Sequence, residues 1–235
     1  MPSNIHAVGC LTPRGTPTQY QSVLMPVVNE LSLNAATRMN DHSSEYFRSN
    51  ELLSRGNSRL LIVDVQEKLV PLIPVAETLI ANCRRLIEGA QILSVPIYAT
   101  EQYPKGLGKT VPQLANLLGE IPDKQRFSGG EVLDWGVAAA DEECRDKIVV
   151  AGMETHVCVQ QTVLDLTSCG FRVYVPADAV ASRHKLDWKI ALDRLSDSGA
   201  TVTTTESVLF EWCETSAIDQ FKQISRLITG TSASD

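Results

Sequence analysis

The residue best placed to act as a nucleophile is Cys158, which follows an apolar run at 147–151 after a short turn that contains Gly152. This spacing predicts a position in the first turn of the next helix. There the positive end of the helix dipole and the free backbone N–H groups favour a thiolate. The same N–H groups suit a developing oxyanion. From position alone, a small buried hydrophobe is an equally good interpretation, because most cysteines are that.

Two charged residues are candidates for partners of this thiol. Asp64 stands in the apolar run VDVQ, where a buried carboxylate is costly unless it is paired or used, and it has the chemistry of a general base. Its alternative role is to cap a neighbouring loop. Lys124, in the segment PDKQRFS, would lower the pKa of a nearby thiol. Taken by itself, Lys124 is more simply a solvated surface lysine.

The elements that would position these residues alternate regularly from residue 58 onward. Runs of strand length occupy 59–65, 95–100, 147–151, 172–176 and 201–204, and segments of helical period occupy 74–93, 111–118, 155–169, 187–198 and 216–228. Gly170 follows one of these helices at the position where a left-handed cap is favoured. Such alternation predicts an α/β fold with right-handed crossovers and a mainly parallel sheet. The functional residues of such sheets lie at the carboxyl ends of the strands.

The first part of the chain differs in character from the rest. Residues 1–45 mix Ser, Thr, Asn and Pro with a single short apolar patch. This composition predicts an N-terminal extension, residues 1–57, that is partly disordered or loosely docked. A start codon assigned too far upstream would look the same. The regular part, residues 58–235, has the length of one domain with a core of normal size.

Charge and cysteine usage limit the partners and the compartment. The 235 residues carry a net charge of −7, which argues against nucleic acid or an anionic membrane as a partner. No stretch reaches about 18 consecutive apolar residues, so no membrane-spanning helix is expected. The six cysteines are scattered without a CxxC pair, and no secretory signal is apparent. We therefore expect reduced thiols and a cytoplasmic protein.

Several motifs occur in an order that resembles the isochorismatase-like cysteine hydrolase family. They are LLIVDVQ at 60–66, KxxFS at 124–128 and GxETHVC at 152–158, supported by TEQYPKGLG at 100–108, DAVASR at 178–183 and TTTES at 203–207. The resemblance covers roughly residues 58–228 and is greatest to the isochorismatase domain-containing proteins and their bacterial relatives. It implies a Rossmann-like, six-stranded, mostly parallel sheet with helices on both faces.

The resemblance also implies a set of catalytic residues. Asp64, Lys124 and Cys158 match the family's Asp–Lys–Cys triad, in which Cys158 would attack a carbonyl or related electrophile. Asp64 would serve as general base and then acid, and Lys124 would stabilise the charges. The family further carries a cis peptide that maps to Met153–Glu154. This peptide would direct the N–H groups of Glu154 and Cys158 towards an oxyanion.

Other residues near these motifs are expected at a substrate pocket or beside it. The candidates for the pocket wall are Gln66, Tyr103, Phe127, Thr155 and His156. For His156, a hydrogen bond to a neighbouring loop is an equally good interpretation. Arg183 would bind an anionic substrate group or, in the interpretation we favour, pair with an acidic neighbour.

Neither a metal nor a nucleotide cofactor is expected. Nicotinamidases of this family bind a metal through an Asp-x-His pair, whereas residues 100–106 contain no histidine. The four histidines of the chain are far apart in sequence, at His6, His42, His156 and His184. No Gly-rich dinucleotide fingerprint follows the first predicted strand.

The sequence as a whole predicts a metal-independent cysteine hydrolase that acts on a small amide, ester or vinyl-ether-like substrate. One alternative is a scaffold or interaction protein that kept the fold and lost the reaction. Another is a redox-sensing thiol, although no resolving cysteine stands beside Cys158 in sequence. A homo-oligomer is expected, because members of the family usually assemble and symmetric assemblies are the default for such enzymes.

Overall fold

A parallel sheet of seven strands organises residues 46–230, which are the residues that the computed structural model describes. The strands are β1 (Ser58–Val63), β2 (Ile97–Gln102), β3 (Asp123–Lys124), β4 (Lys147–Met153), β5 (Arg172–Pro176), β6 (Val180–Ala181) and β7 (Thr201–Thr203). Six strands lie side by side in the order β3-β2-β1-β4-β5-β7, and β6 pairs with β4. All pairings between these strands are parallel.

The α/β class and the mostly parallel sheet are confirmed, whereas the predicted number of six strands is one too low. The seventh strand is β6, whose two residues pair with Gly152 and Met153 at the end of β4. An element of two residues is too short to show a hydrophobic period in sequence. The same is true of β3, a strand of two residues in the PDKQRFS segment that was not predicted.

Helices cover the sheet between the strands. They are α1 (Ala76–Leu93), α2 (Pro104–Leu107), α3 (Pro112–Ala115), α4 (Gly130–Leu133), α5 (Gln160–Ser168), α6 (Lys185–Asp197), α7 (Thr205–Cys213) and α8 (Phe221–Thr229). A π-helical turn, Thr155–Val159, joins β4 to α5, so the single helix predicted at 155–169 is divided. The helix predicted at 111–118 is reduced to α3, and Leu117 and Leu118 beyond its end pack against the core. Helix α7 was not predicted.

Two apolar clusters fill the space between the sheet and its helices, one for each face. The first includes residues of α1, α7 and α8, such as Leu79, Leu86, Trp212 and Ile224. The second includes residues of α5 and α6, such as Val163, Leu166 and Leu195. Full burial of one such side chain stabilises the fold by about 1.5–3 kcal/mol. Helices therefore lie on both faces of the sheet, as predicted. Within the described residues, none of the helices is sufficiently long and apolar to cross a membrane.

The segment that precedes β1 packs against the amino end of the sheet. Leu53 is fully buried in the first cluster. The ammonium of Lys147, at the start of β4, donates a hydrogen bond of 2.5 Å to the Leu52 carbonyl. Residues 48–57 thus belong to the same compact unit as the sheet, which begins at Arg48. Residues 1–45 of the predicted extension lie outside the described residues.

Strands β1 and β4 approach closely at their carboxyl ends. Gly152 of β4 is in register with Val63 of β1 and has a φ of 124°. A Cβ atom at position 152 would lie 2.1 Å from the Val63 carbonyl oxygen, so only glycine fits there. This close approach brings Asp64, the residue after β1, beside the turn that follows β4.

Candidate active site

The carboxyl ends of β1, β3 and β4 bring the three candidate catalytic side chains together. Asp64 follows β1, Lys124 ends β3, and Cys158 lies in the π-helical turn after β4. The Lys124 ammonium lies 2.7 Å from the Asp64 carboxylate, and both side chains are fully buried. Cys158 is 6 % exposed, and burial raises the pKa of its thiol, which the neighbouring Asp64 carboxylate raises further. Nucleophile, carboxylate and cation therefore form one contiguous buried group.

The Asp64 carboxylate is held by a donor on each oxygen. Oδ1 accepts a hydrogen bond of 2.8 Å from the Thr100 hydroxyl, and Oδ2 accepts one of 2.7 Å from Lys124. The backbone N–H of Asp64 donates to the Thr100 carbonyl at 3.1 Å. Asp64 has a φ of 52°, a left-handed conformation that is uncommon for residues other than glycine and concentrates at functional sites. The carboxylate is thus fixed in orientation before any substrate binds.

The Lys124 ammonium has an acceptor for each of its three protons. These acceptors are Asp64 Oδ2 at 2.7 Å, the Phe127 carbonyl at 2.8 Å and Gln102 Oε1 at 2.9 Å. A fourth oxygen, the Arg126 carbonyl, lies farther away at 3.3 Å. Since an ammonium carries only three donors, none remains for a substrate. All three ammonium protons of Lys124 are therefore taken up by protein oxygens.

The thiol of Cys158 is protonated in this arrangement. Burial raises its pKa, and the negative charge of Asp64 raises it further, while Lys124 lowers it only in part. The resting thiolate expected from the helix terminus and the lysine is therefore not favoured, because the lysine's charge is already matched by Asp64. The interaction that raises the thiol pKa identifies Asp64 as the neighbouring group with the chemistry of a base.

The turn that carries the nucleophile is held from two sides. The peptide bond between Met153 and Glu154 is cis. The Glu154 carbonyl accepts hydrogen bonds from the N–H groups of Val157 at 3.1 Å and Val159 at 3.2 Å. The Glu154 carboxylate pairs with the Arg183 guanidinium at 3.0 Å and accepts the Arg183 backbone N–H at 3.1 Å. Arg183 thus has the acidic partner that the sequence analysis favoured.

Gln66 is buried and serves the loop after β2. Its amide nitrogen donates to the carbonyls of Gln102 at 3.0 Å and Gly108 at 2.7 Å, and its amide oxygen accepts the Gln102 N–H at 2.8 Å. Both amide protons are used by the backbone. Gln66 therefore ties this loop to the end of β1 and has no donor left for a ligand.

Two of the predicted wall residues are half-exposed aromatics. Tyr103 follows β2 and is 48 % exposed, and Phe127 follows β3 and is 50 % exposed. The Tyr103 ring lies directly over Gly106, where an added Cβ would be 2.4 Å from ring carbons. Glycine at 106 therefore permits this position of the ring. Both aromatics follow the carboxyl ends of their strands, on the same side of the sheet as Asp64.

Two predicted wall residues, Thr155 and His156, lie between Glu154 and Cys158 and differ in their hydrogen bonding. His156 Nδ1 lies 3.0 Å from the Ser182 hydroxyl, so this histidine is hydrogen-bonded to a neighbouring loop. Thr155 is fully buried, and its hydroxyl has no hydrogen-bond partner within the described residues. A buried hydroxyl without a partner costs free energy unless a ligand or water completes it. Thr155 thus remains a candidate for a substrate contact.

Thr100 and Gln102 are site residues that the sequence analysis did not assign. Thr100 is in register with Val63, and Gln102 is in register with Lys124. Alternate residues of a strand share a face, so both side chains reach the triad. Glu101 between them binds the Thr110 N–H at 2.7 Å instead. The available signal was two polar residues, spaced by two, at the carboxyl end of the strand next to β1.

The acidic and thiol side chains of the site do not form a metal centre. Within residues 46–230, no three or more His, Cys, Asp or Glu side chains are grouped so that they would hold a metal ion. The positive charge beside Asp64 is supplied by Lys124.

Comparisons with known proteins give the family. The model of the isochorismatase domain matches residues 58–207. Isochorismatase domain-containing protein 1 of Danio rerio is 39 % identical over 178 residues, which are 75 % of this chain and 62 % of that protein. Isochorismatase domain-containing protein 2 of the same species is 36 % identical over 75 % of this chain and 89 % of its own length. This chain therefore spans less than two thirds of the first relative and most of the second.

A solved structure supports the same assignment. The MAR1 ribonuclease from Caenorhabditis elegans is 38 % identical, with a TM-score of 0.70 over 78 % of this chain and 95 % of that chain. Sequence motifs, sheet order and these similarities agree. The chain belongs to the isochorismatase-like hydrolase family.

Proposed function

We propose that this chain is a metal-independent cysteine hydrolase that uses Cys158, Asp64 and Lys124 on a small amide, ester or vinyl-ether-like substrate. The observation that carries the proposal is a buried carboxylate, held by a buried ammonium at 2.7 Å, that raises the pKa of the buried Cys158 thiol. This arrangement gives a protonated nucleophile a neighbouring base and a cation that offsets the developing charge.

For an amide or ester, the reaction begins with the thiol proton. It passes to Asp64 as Cys158 Sγ forms a bond to the carbonyl carbon and the carbonyl π electrons move to the oxygen. The tetrahedral intermediate then expels the amine or alcohol, which takes the proton from Asp64 and leaves a thioester on Cys158. Water attacks the thioester while Asp64 accepts its proton. The acid product leaves as Asp64 returns the proton to Sγ.

The net charge of the triad is the same before and after the first proton transfer. A thiol, a carboxylate and an ammonium sum to zero, and so do a thiolate, a carboxylic acid and an ammonium. Because Lys124 keeps its charge throughout, the buried group never carries a net charge, which would be costly in a low dielectric. We assign the N–H groups of Glu154 and Cys158 as donors to the oxyanion, at the start of the turn after β4.

A second candidate activity is RNA cleavage, because the 38 % identical relative from Caenorhabditis elegans is named a ribonuclease. The net charge of −7 disfavours it, since binding of a phosphate backbone relies on a positive field. RNA therefore enters the test as a comparison substrate.

The test is a substrate screen with two matched variants. Wild type, Cys158→Ala and Cys144→Ala are incubated with panels of small amides, esters and vinyl ethers, and separately with single-stranded RNA. Cys144 is exposed and lies outside the triad, so it controls for loss of a thiol as such. We expect hydrolysis by wild type and Cys144→Ala, an acyl adduct on Cys158 by mass spectrometry, and a loss of at least about 10³-fold in Cys158→Ala.

Three outcomes would contradict the proposal. Turnover that survives in Cys158→Ala would remove the cysteine mechanism. No turnover of any panel by wild type, with no adduct on Cys158, would favour a scaffold protein that kept the fold and lost the reaction. Cleavage of RNA alone would favour the second candidate.

We further propose that the protein is a homo-oligomer in a reducing, cytoplasmic environment. The five described cysteines are free thiols. Apolar side chains remain on the surface at the edge strand β7 and on α7, where Val202 is 38 % and Phe210 is 40 % exposed. Symmetric self-association is the common way to cover such groups. Sedimentation of the full chain tests this, and a monomer at micromolar concentration would contradict it.

A further inference from the structure

A cavity lies apart from Asp64, Lys124 and Cys158, where α1 begins and the chain passes from β5 to α6. Its volume is about 450 Å³, within the range of about 300–1,000 Å³ that is usual for small-molecule pockets. The walls are mainly apolar and include Val75, Leu79, Ala181 and Trp188. The Trp188 indole N–H is bound to the Val180 carbonyl at 3.1 Å, so the ring is a fixed wall.

The polar groups of this cavity favour an anionic ligand. Lys185 lines it at the first turn of α6 and forms no ion pair within the described residues. Asp178 also lines it, but its carboxylate is committed to Thr205, whose N–H donates at 2.8 Å, and to the Asn82 amide at 3.3 Å. The ammonium of Lys185 is therefore the charged group that remains available to a ligand.

The wall of the cavity is connected to the turn that carries the nucleophile. Ser182 lines the cavity and lies 3.0 Å from His156, two residues before Cys158. Ala181 also lines it and is in register with Met153 in the β4–β6 pairing. A ligand that packs against these residues would hold the strand and loop on which the turn rests.

We infer that this cavity binds a small molecule with an apolar body and a single carboxylate, and that its occupancy slows the reactions of Cys158. The apolar body would bury surface against Trp188 and Leu79, at about 25 cal/mol for each Å² removed from water. The carboxylate would lie at Lys185. Since Cys158 is only 6 % exposed, a reagent reaches it through local opening, and a ligand that stabilises the adjoining loop reduces that opening. This inference concerns binding and stands independently of the hydrolytic activity.

The charge preference is tested with two probes on the full chain. Calorimetric titrations compare 1-naphthylacetate with its uncharged analogue 2-(1-naphthyl)ethanol. We expect the carboxylate to bind up to about fivefold more tightly, since an exposed ion pair contributes about 0.2–1 kcal/mol. Lys185→Met abolishes this preference and leaves the affinity for the alcohol unchanged. Lys189→Met, on the same helix and paired with Asp193 at 2.6 Å, retains the preference. Equal preference in Lys185→Met and wild type would overturn the assignment of the anion site.

The location is tested by filling the cavity from an exposed position. Thr78 lies on the surface of α1 and lines the cavity, so Thr78→Trp fills it without a change in the core. We expect both probes to lose at least tenfold in affinity, with the circular dichroism spectrum unchanged. Undiminished binding by Thr78→Trp places the probes elsewhere and overturns the site. If wild type binds neither probe and Thr78→Trp dissociates a wild-type assembly, the cavity is an interface between copies, which also overturns it.

The effect of cavity occupancy on Cys158 is tested separately, by the rate at which the thiol is alkylated. Alkylation of Cys158 by iodoacetamide is followed by mass spectrometry with and without saturating 1-naphthylacetate, with the exposed Cys144 as internal reference. We expect Cys158 to react at least twofold more slowly when the probe is bound, with no effect in Thr78→Trp. An unchanged rate in wild type at saturation would overturn the proposed coupling.

Discussion

Two buried lysines lie at opposite ends of the strands and differ in what they contact. Lys124 lies at the carboxyl end of β3 and binds a carboxylate, a side-chain amide and a carbonyl within 2.9 Å. Lys147 lies at the amino end of β4, and its ammonium donates to the Leu52 carbonyl. Both are at most 2 % exposed.

The difference between these two lysines shows that burial alone does not mark a functional cation. Burial lowers the pKa of Lys147, and the positive charge of Arg172 lowers it further. Lys147 therefore holds the segment before β1 in place, while its surroundings disfavour its charged form. Lys124 is instead matched by Asp64, and both charges influence the pKa of the Cys158 thiol. The two lysines therefore differ in their partners, which include a carboxylate for Lys124 and a backbone carbonyl for Lys147.

The largest expected effect concerns the stability of two matched variants. Lys124→Met leaves Asp64 buried without its counter-charge, which lowers the free energy of unfolding by about 3–5 kcal/mol. Lys147→Met removes one hydrogen bond to a carbonyl, at a cost of about 1 kcal/mol or less, because a partly unfavourable charge is removed with it. Urea denaturation at pH 7 measures both. Adding Asp64→Asn to Lys124→Met removes the orphaned charge and should recover part of the loss. Equal losses in the two single variants would contradict the distinction between the two lysines.

The next effect concerns the reactivity of Cys158. In Asp64→Asn the carboxylate that raises the thiol pKa is gone, while the positive charge of Lys124 remains. The thiolate then becomes the natural partner of Lys124, and alkylation at pH 7.5 should accelerate on the order of a hundredfold. Hydrolysis should be lost at the same time, because the base is absent. Iodoacetamide labelling read by mass spectrometry measures the rate, with Cys144 as reference. If Cys158 of wild type already labels faster than Cys144, the protonated resting thiol is wrong.

A smaller effect is expected at Thr100, which donates to Asp64 at 2.8 Å. This hydrogen bond fixes the orientation of the carboxylate, so its removal in Thr100→Val should lower kcat by about tenfold, with little change in KM. Thr100→Ser keeps the hydroxyl and should restore the wild-type rate. An equal loss of kcat in Thr100→Ser and Thr100→Val would assign Thr100 a packing role only.

The sequence predicts the placement of Asp64 and Cys158 because the first lies at the carboxyl end of its strand and the second in the turn after its strand. A continuous apolar run marks β1, another marks β4, and the carboxyl-end rule then indicates the residues after them. Lys124 is different. Its strand has two residues, and its segment has the composition of a surface loop. Only the order of motifs along the chain associated it with the other two.

Thr100, Gln102 and the raised pKa of Cys158 depend on register and on depth of burial. Thr100 reaches Asp64 because β2 and β1 are paired with Val63 opposite Thr100, and a shift by one residue would direct Glu101 there instead. The thiol pKa is raised most by burial, and the charges of Asp64, Lys124 and Glu154 then modify it. Burial and charges from separate segments are not contained in any local pattern, which is why the dipole argument alone gave the opposite direction.

The smallest expected effect is a pH dependence of stability that arises from Lys147, at the amino end of β4. Lys147 has a folded pKa below its ordinary value of 10.5, so between these two values the unfolded chain binds more protons than the folded protein. The free energy of unfolding therefore rises with pH across that window, and the burial penalty is constant below it. Lys147→Met does not titrate. Wild type should accordingly gain stability relative to this variant as the pH approaches about 10.5, measured by urea denaturation at intervals from pH 7 upward. A constant difference in the free energy of unfolding between the two proteins over this range would show that burial does not disfavour the Lys147 ammonium. The two lysines would then differ only in the geometry of their contacts.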